Sequence, residues 1–253
     1  YFDAHFQTDL KFSKKEIFDK NNLSENMKTL FFATKSPNSY PWNPNIVKSI
    51  AEAINRNKEL SNCQLLVRPH PIHYKKDSNG NLVYKKVLDQ YEIIASNFNN
   101  VIINKPSIYE SSKSFLMKNN ESNKLNEVLK YTDVFINLFS TMNIEAAILD
   151  IPIVNICFEY EEPMYSFDKN NPRFDITSDA KETHNQRIVD SGGTSISYSP
   201  EQLIEHISRY ITNPNLDKSG RKVIRNREVG PYQGEAGNKI ADVILGYSKQ
   251  LIK

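Results

Sequence analysis

Glycine is scarce in this chain, at 8 of 253 residues, and no Gly-rich turn follows the first apolar run. Cysteine is scarcer still. The only two, Cys63 and Cys157, sit inside apolar runs, Cys63-Gln64-Leu65-Leu66-Val67 and Val154-Asn155-Ile156-Cys157-Phe158. Two such residues make neither a disulfide framework nor a metal-ligand spacing, and they read as small buried hydrophobes in a reducing compartment. No apolar run approaches the roughly 20 residues that a membrane-spanning helix needs, and no signal peptide is visible. An excess of one charge is missing too. Lys and Arg number 32 against 30 Asp and Glu, a net charge of +2, so nothing in bulk electrostatics draws the chain toward nucleic acid. It opens at Tyr1 and not at a methionine, as a piece of a longer protein would.

What is present is ordinary for a globular protein. Hydrophobic residues make up 39% and charged residues 25%. The length suffices for one large α/β domain or two small ones with a proper core. Residues 1–28 are polar with scattered aromatics and read as a lead-in, with one helix over Lys11–Asn26 and Ser13 as its N-cap. From Thr29 to the C-terminus a single domain is expected, in which strand and helix signals alternate. Thr29–Thr34, Gln64–Val67, Val101–Ile103, Val134–Leu138 and Ile153–Phe158 are short apolar runs of strand type. Between and after them Pro44–Leu60, Tyr84–Phe98, Lys124–Tyr131, Met142–Leu149, Pro200–Thr212 and Gly237–Lys253 carry helical patterns. The segment Asn170–Ser191 reads as a loop with one short helix, and Asn97–Asn100 and Asn119–Asn123 as surface loops. Alternation of this kind predicts βαβ units, hence an α/β fold with a mostly parallel sheet and helices on both faces. The strand runs are continuously apolar, as a sheet covered on both sides requires.

Open parallel sheets bind ligands beyond the carboxyl ends of their strands, so the residues just after each strand are the candidates. After the first strand come Lys35 and Ser36, placed either to meet a phosphate or to solvate a turn. After the second comes Arg68-Pro69-His70-Pro71. Each proline fixes its own φ and restricts its predecessor, so the backbone is stiff where His70 projects. An imidazole or guanidinium there suits a phosphate or a leaving-group oxygen; the plainer alternative is a capped strand end with Arg68 in a salt bridge. His73 makes a His-x-x-His, weak as a metal signal without acidic partners. After the fourth strand, Ser140 and Thr141 open a helix whose free N–H groups favour an anion. Glu145, one turn on, is placed to accept hydrogen bonds from ribose hydroxyls. Glu159-Tyr160-Glu161-Glu162 follows the fifth strand, where Glu159 is a candidate base. His184 and Arg187 lie in the irregular stretch near Gly192-Gly193.

Arg68-Pro69-His70-Pro71 together with Ser140-Thr141-x-x-x-Glu145-Ala146-x-x-x-x-x-Pro152 resembles the donor-domain motifs of GT-B glycosyltransferases. The likeness is greatest to enzymes of bacterial surface-polysaccharide and capsule synthesis, including sialyltransferases and teichoic-acid-type polyol-phosphate polymerases. It runs from about Thr29 to Ile244. The resemblance implies a Rossmann-like domain, one half of a GT-B fold, facing an N-terminal acceptor domain for which this chain has no room. It implies a nucleotide-activated sugar as donor, a saccharide acceptor, no metal or other cofactor, and a cytoplasmic place, peripheral to the inner membrane face. Carried over, His70 contacts the donor phosphate, Ser140 and Thr141 bind it at the helix start, and Glu145 grips the ribose. Lys35, Ser36, Arg68 and His184 complete the expected donor site, with His70 and Glu159 as the expected catalytic groups. A nucleotide-sugar epimerase of the same fold and a non-catalytic nucleotide-binding domain are the alternatives.

Overall fold

Apolar runs bounded by amphipathic helices have one good solution, a sheet with both faces covered, and the chain adopts it. In the computed structural model, which describes residues 2–6, 12–109, 117–118, 121–167 and 175–251, six strands form one all-parallel sheet in the order β3-β2-β1-β4-β5-β6. The strands are β1 (Lys28–Ala33), β2 (Cys63–Arg68), β3 (Val101–Ile103), β4 (Val134–Asn137), β5 (Ile153–Ile156) and β6 (Ser195–Ser197). The order reverses between β1 and β4, and the crevice at such a reversal is where open sheets of this kind hold ligands.

Helices α2 (Asn43–Arg56), α3 (Lys85–Asn97) and α7 (Pro200–Thr212) cover one face, burying Ile46, Ile50, Tyr91 and Leu203 against Leu30, Leu65 and Val154. The other face carries α1 (Lys14–Lys20), α4 (Glu121–Leu129), α5 (Met142–Ile148), α6 (Thr183–Asp190) and α8 (Lys218–Val229). The opening segment is thus more than a lead-in. Ile17, Phe18 and Leu23 are buried in the second core. Helix α1 is shorter than the expected span: Ser13 caps it in a reciprocal capping box with Glu16, and Asn21 ends it. The expected start at Lys11 lies outside the described residues. So do Asn119 and Asn120, residues 170–174, and the expected end of the last helix at Lys253.

Two elements escape sequence reading. Strand β6 is three residues long and polar, and α8 is polar nearly all round, burying only Gly220, Arg221 and Ile224. The last helix, α9 (Ala236–Leu251), stands clear of the core. Ile240, Val243, Ile244 and Tyr247 are exposed along one side of it. Among the described residues, no helix is long and apolar enough to cross a membrane.

Candidate functional site

Side chains alternate across a strand, so neighbouring site candidates can part company. On β2, Leu65 and Val67 belong to the first core, whereas Leu66 belongs to the second and Arg68 continues on its side. Arg68 is buried there and donates from its two terminal nitrogens to Asn104 and to the Glu121 carboxylate. Burial opposes ionisation of Glu121, but hydrogen bonds from Arg68 and Ser107 outweigh it and hold the carboxyl below its usual range. This pair faces a cavity of about 700 Å³ between α1 and α4, whose lining includes Lys20 and Lys105. Arg68 is the one sequence-predicted site residue in that lining.

His70 goes elsewhere. It caps a 3-10 turn (Pro71–Tyr74), its Nδ1 accepting the Ile72 N–H at 3.2 Å. With Nδ1 used as acceptor, a neutral His70 carries its proton on Nε2. Desolvation lowers its pKa, so the ring is neutral at pH 7 and offers one N–H donor. The His70 backbone N–H donates to Thr34 Oγ1 at 3.0 Å, which ties the second strand end to the first, beside the crevice.

The β4 end is built by asparagines. Asn137 and Asn155 are register partners on β4 and β5. Asn137 Nδ2 donates to Asn143 Oδ1 at 2.7 Å, and Asn143 Nδ2 donates to Asn155 Oδ1 at 3.2 Å. Asn155 Oδ1 also accepts the Phe139 N–H at 3.2 Å. Phe139 sits at φ 44°, a left-handed conformation that costs a bulky residue roughly 1–2 kcal/mol. The Asn155 bond and burial of the ring with Cys157 and Ala180 hold it there. The turn leaves Ser140 and Thr141 exposed at the sheet edge. Thr141, and not Ser140, occupies the cap position of α5, while Ser140 Oγ accepts the Met142 N–H at 3.3 Å.

The remaining candidates divide. Ser36 is half-buried at the β1 end. Lys35 is committed to Asp179, 2.6 Å away, and its backbone is fixed by buried Asn43. Glu145 is only 5% exposed and accepts from His5 Nε2 at 3.1 Å, so in this structure a residue of the opening segment covers it. Glu159 is half-buried beyond β5. His184 is exposed on α6, and no hydrogen bond joins it to the others. Arg187 pairs with Glu228 at 3.1 Å. Sequence reasoning missed Thr34, Tyr91 and the three asparagines. The visible signal was a polar residue within or just after an otherwise apolar strand: Asn137 ends β4, Asn155 lies inside β5 and Thr34 directly follows β1. His73, in contrast, is fully buried, with its pKa pushed down to about 3 by desolvation. Its Nδ1 bonds the His70 carbonyl and its Nε2 the Tyr91 hydroxyl. Among the described residues, no three His, Cys, Asp or Glu side chains gather as a metal site.

Solved structures share this architecture. S. aureus MnaA in complex with UDP matches all of this chain and 54% of its own, with TM-score 0.58 and 14% identity. UDP-GlcNAc 2-epimerase from Neisseria meningitidis, bound to UDP-GlcNAc, matches 92% of this chain and 48% of its own, with TM-score 0.55 and 13% identity. WaaG, a glycosyltransferase involved in lipopolysaccharide biosynthesis, matches 97% and 54%, with TM-score 0.50 and 15% identity. At these identities the likeness is one of fold, the Rossmann-like α/β fold of GT-B proteins, and the chain spans about half the length of each. No curated protein matches by sequence. Residues 8–196 match the protein family described as "Protein of unknown function (DUF354)", and the chain belongs to that family.

Proposed function

We propose that this chain is the donor-binding half of a glycosyltransferase, which moves a sugar or polyol phosphate from a nucleotide-activated donor to a surface-polysaccharide acceptor. The observation that carries the reading is His70: a neutral imidazole with its proton on Nε2, on a proline-stiffened turn hydrogen-bonded to the β1 end. Such a donor suits a phosphate oxygen and needs no reorganisation when charge develops on the departing nucleotide. Thr141, exposed across the crevice, and Ser36 add hydroxyl donors, while the Ser140 hydroxyl, which donates to Asn137 Oδ1 at 3.3 Å, holds the turn between them. In sugar transfer, an acceptor oxygen bonds to the donor carbon as the carbon–oxygen bond to phosphate breaks; in polyol-phosphate transfer it bonds to the donor phosphorus as the phosphorus–oxygen bond to the nucleotide breaks. The electron pair leaves with the nucleotide, and a base takes the acceptor proton. Glu159, beyond β5, is the base candidate within this chain. Lys35, already engaged by Asp179, acts by shaping the site, whereas Arg68, paired with Glu121, lines the cavity on the other face of the sheet.

The test is calorimetric titration of UDP, CDP and CMP. His70→Ala is expected to weaken the preferred nucleotide roughly 10- to 100-fold, the worth of one hydrogen bond to a charged group. Ser140→Ala should weaken it as well. Absence of nucleotide binding, or an unchanged affinity in His70→Ala, sinks the proposal. Glu145 can take a ribose only after His5 releases it. His5→Ala is therefore expected to tighten nucleotide binding several-fold by removing the competing state, and Glu145→Ala to weaken it. An unchanged or weaker affinity in His5→Ala removes Glu145 from the site.

An epimerase is the second reading, favoured by the likeness of fold to the UDP-GlcNAc 2-epimerase from Neisseria meningitidis. An altered sugar formed with no acceptor present would identify it.

A further inference from the structure

Thr34, Tyr91 and His73 hold the His70 peptide through hydrogen bonds. The His70 N–H donates to Thr34 Oγ1 at 3.0 Å. Tyr91 Oη lies 3.3 Å from His73 Nε2, and His73 Nδ1 lies 2.9 Å from the His70 carbonyl.

The direction of both His73 bonds follows from one fixed end. A carbonyl can only accept, so His73 Nδ1 carries the proton. His73 is fully buried and neutral, so its Nε2 has a lone pair and must receive the Tyr91 proton. The two bonds therefore run in one sense, from the Tyr91 hydroxyl through the imidazole to the His70 carbonyl, and bonds arranged this way polarise one another. At the other end of the peptide, the Thr34 oxygen accepts from the His70 amide.

We infer that Thr34, Tyr91 and His73 are positioning residues, which grip the His70 peptide by both its N–H and its C=O. They thereby hold the imidazole as an Nε2–H donor aimed at a ligand that can only accept, a phosphoryl oxygen. The grip spans β1, β2, the 3-10 turn and α3, so the two prolines alone do not account for the rigidity of this turn. The ligand class rests on the function proposed above; the grip does not. His73, the second half of the His-x-x-His, is thereby a positioning residue whose two ring nitrogens are both in use.

Tyr91→Phe and Thr34→Val each delete one hydroxyl and keep the side-chain shape. Both are expected to raise the exchange rate of the His70 amide about tenfold or more. Both should shift the His70 ring 15N resonances toward a mixture of tautomers, a change that a general loss of packing would not produce. UDP affinity should fall about three- to tenfold in Tyr91→Phe, and not at all when Tyr91→Phe is added to His70→Ala. Wild-type exchange and wild-type 15N shifts in both variants would overturn the positioning role, whether or not UDP binds. If the NMR changes appear while UDP fails to bind the wild type, the grip on His70 stands and the assignment of the ligand falls. Equal loss of UDP affinity with and without His70 would show that Tyr91 acts on something other than His70, and would overturn the inference as well.

Discussion

Arg221→Ala is expected to lower the free energy of unfolding by roughly 4 kcal/mol, because two hydrogen bonds from a charged donor, at about 1.5–3 kcal/mol each, are lost along with the packing of the stem. Arg221 is 1% exposed, although it lies in the most polar helix of the chain. Its terminal nitrogens donate to the Leu216 carbonyl at 2.6 Å and the Pro214 carbonyl at 2.9 Å, and its Nε donates to Asp150 at 2.9 Å. The guanidinium therefore joins α8 to the α7–α8 connection and to the end of α5. The ion pair is the smaller part, since Asp150 is 37% exposed and also meets Lys218, so water screens it. Urea denaturation of Arg221→Ala beside Arg221→Met separates the two contributions. Methionine keeps the stem and loses the donors, so it should recover only a minor share of the stability. Wild-type stability in Arg221→Met would mean that the polar contacts contribute nothing.

Asp150 adds a pH signature. Partial burial works against its ionisation, but hydrogen bonds from Lys218 and Arg221 outweigh this and hold its pKa below the ordinary value. A carboxylate depressed in the native state stabilises above its unfolded pKa of about 3.9, and that contribution disappears as pH falls through the native value. The stability gap between wild type and Arg221→Met should therefore narrow below about pH 4.

Gly220→Ala is expected to cost about 3 kcal/mol, the upper end of ordinary overpacking, and to lower Tm on the order of 10 °C. A Cβ on Gly220 would lie 2.2 Å from the Gly192 carbonyl carbon and 2.3 Å from the Gly193 nitrogen. Both are backbone atoms in the turn before β6, so no side chain can swing aside. The reciprocal position behaves alike, since a Cβ on Gly193 would meet Arg221 N at 2.5 Å. Gly230→Ala makes the contrast: no atom lies within 4 Å of the added carbon, and its cost comes only from a φ of 77°. A thermal melt in which Gly220→Ala costs no more than Gly230→Ala would refute the close approach.

By itself, the sequence determined the parallel sheet with two covered faces. Runs such as Leu30–Phe32 and Leu65–Val67 are too apolar to sit anywhere but inside, and their spacing leaves room only for helical crossovers. It also determined the stiff turn at His70, because proline geometry is local. Ser13 and Glu16 announced the start of α1 for the same reason. Tertiary structure alone decided what is polar and yet buried. Helix α8 shows no apolar stripe because a fully satisfied arginine takes the place of one, and its three acceptors are found only once the chain has folded. Strand β6 is too short and too polar to be seen, and exists because β5 offers it a partner edge. The candidate site divides in the same way. The sequence listed which residues follow each strand, but strand alternation sent Arg68 to one face of the sheet and left His70 at its edge. Lys35 met Asp179, 144 residues away, and Glu145 met His5, 140 residues away. A charge finds its partner through space, and no local pattern encodes that distance.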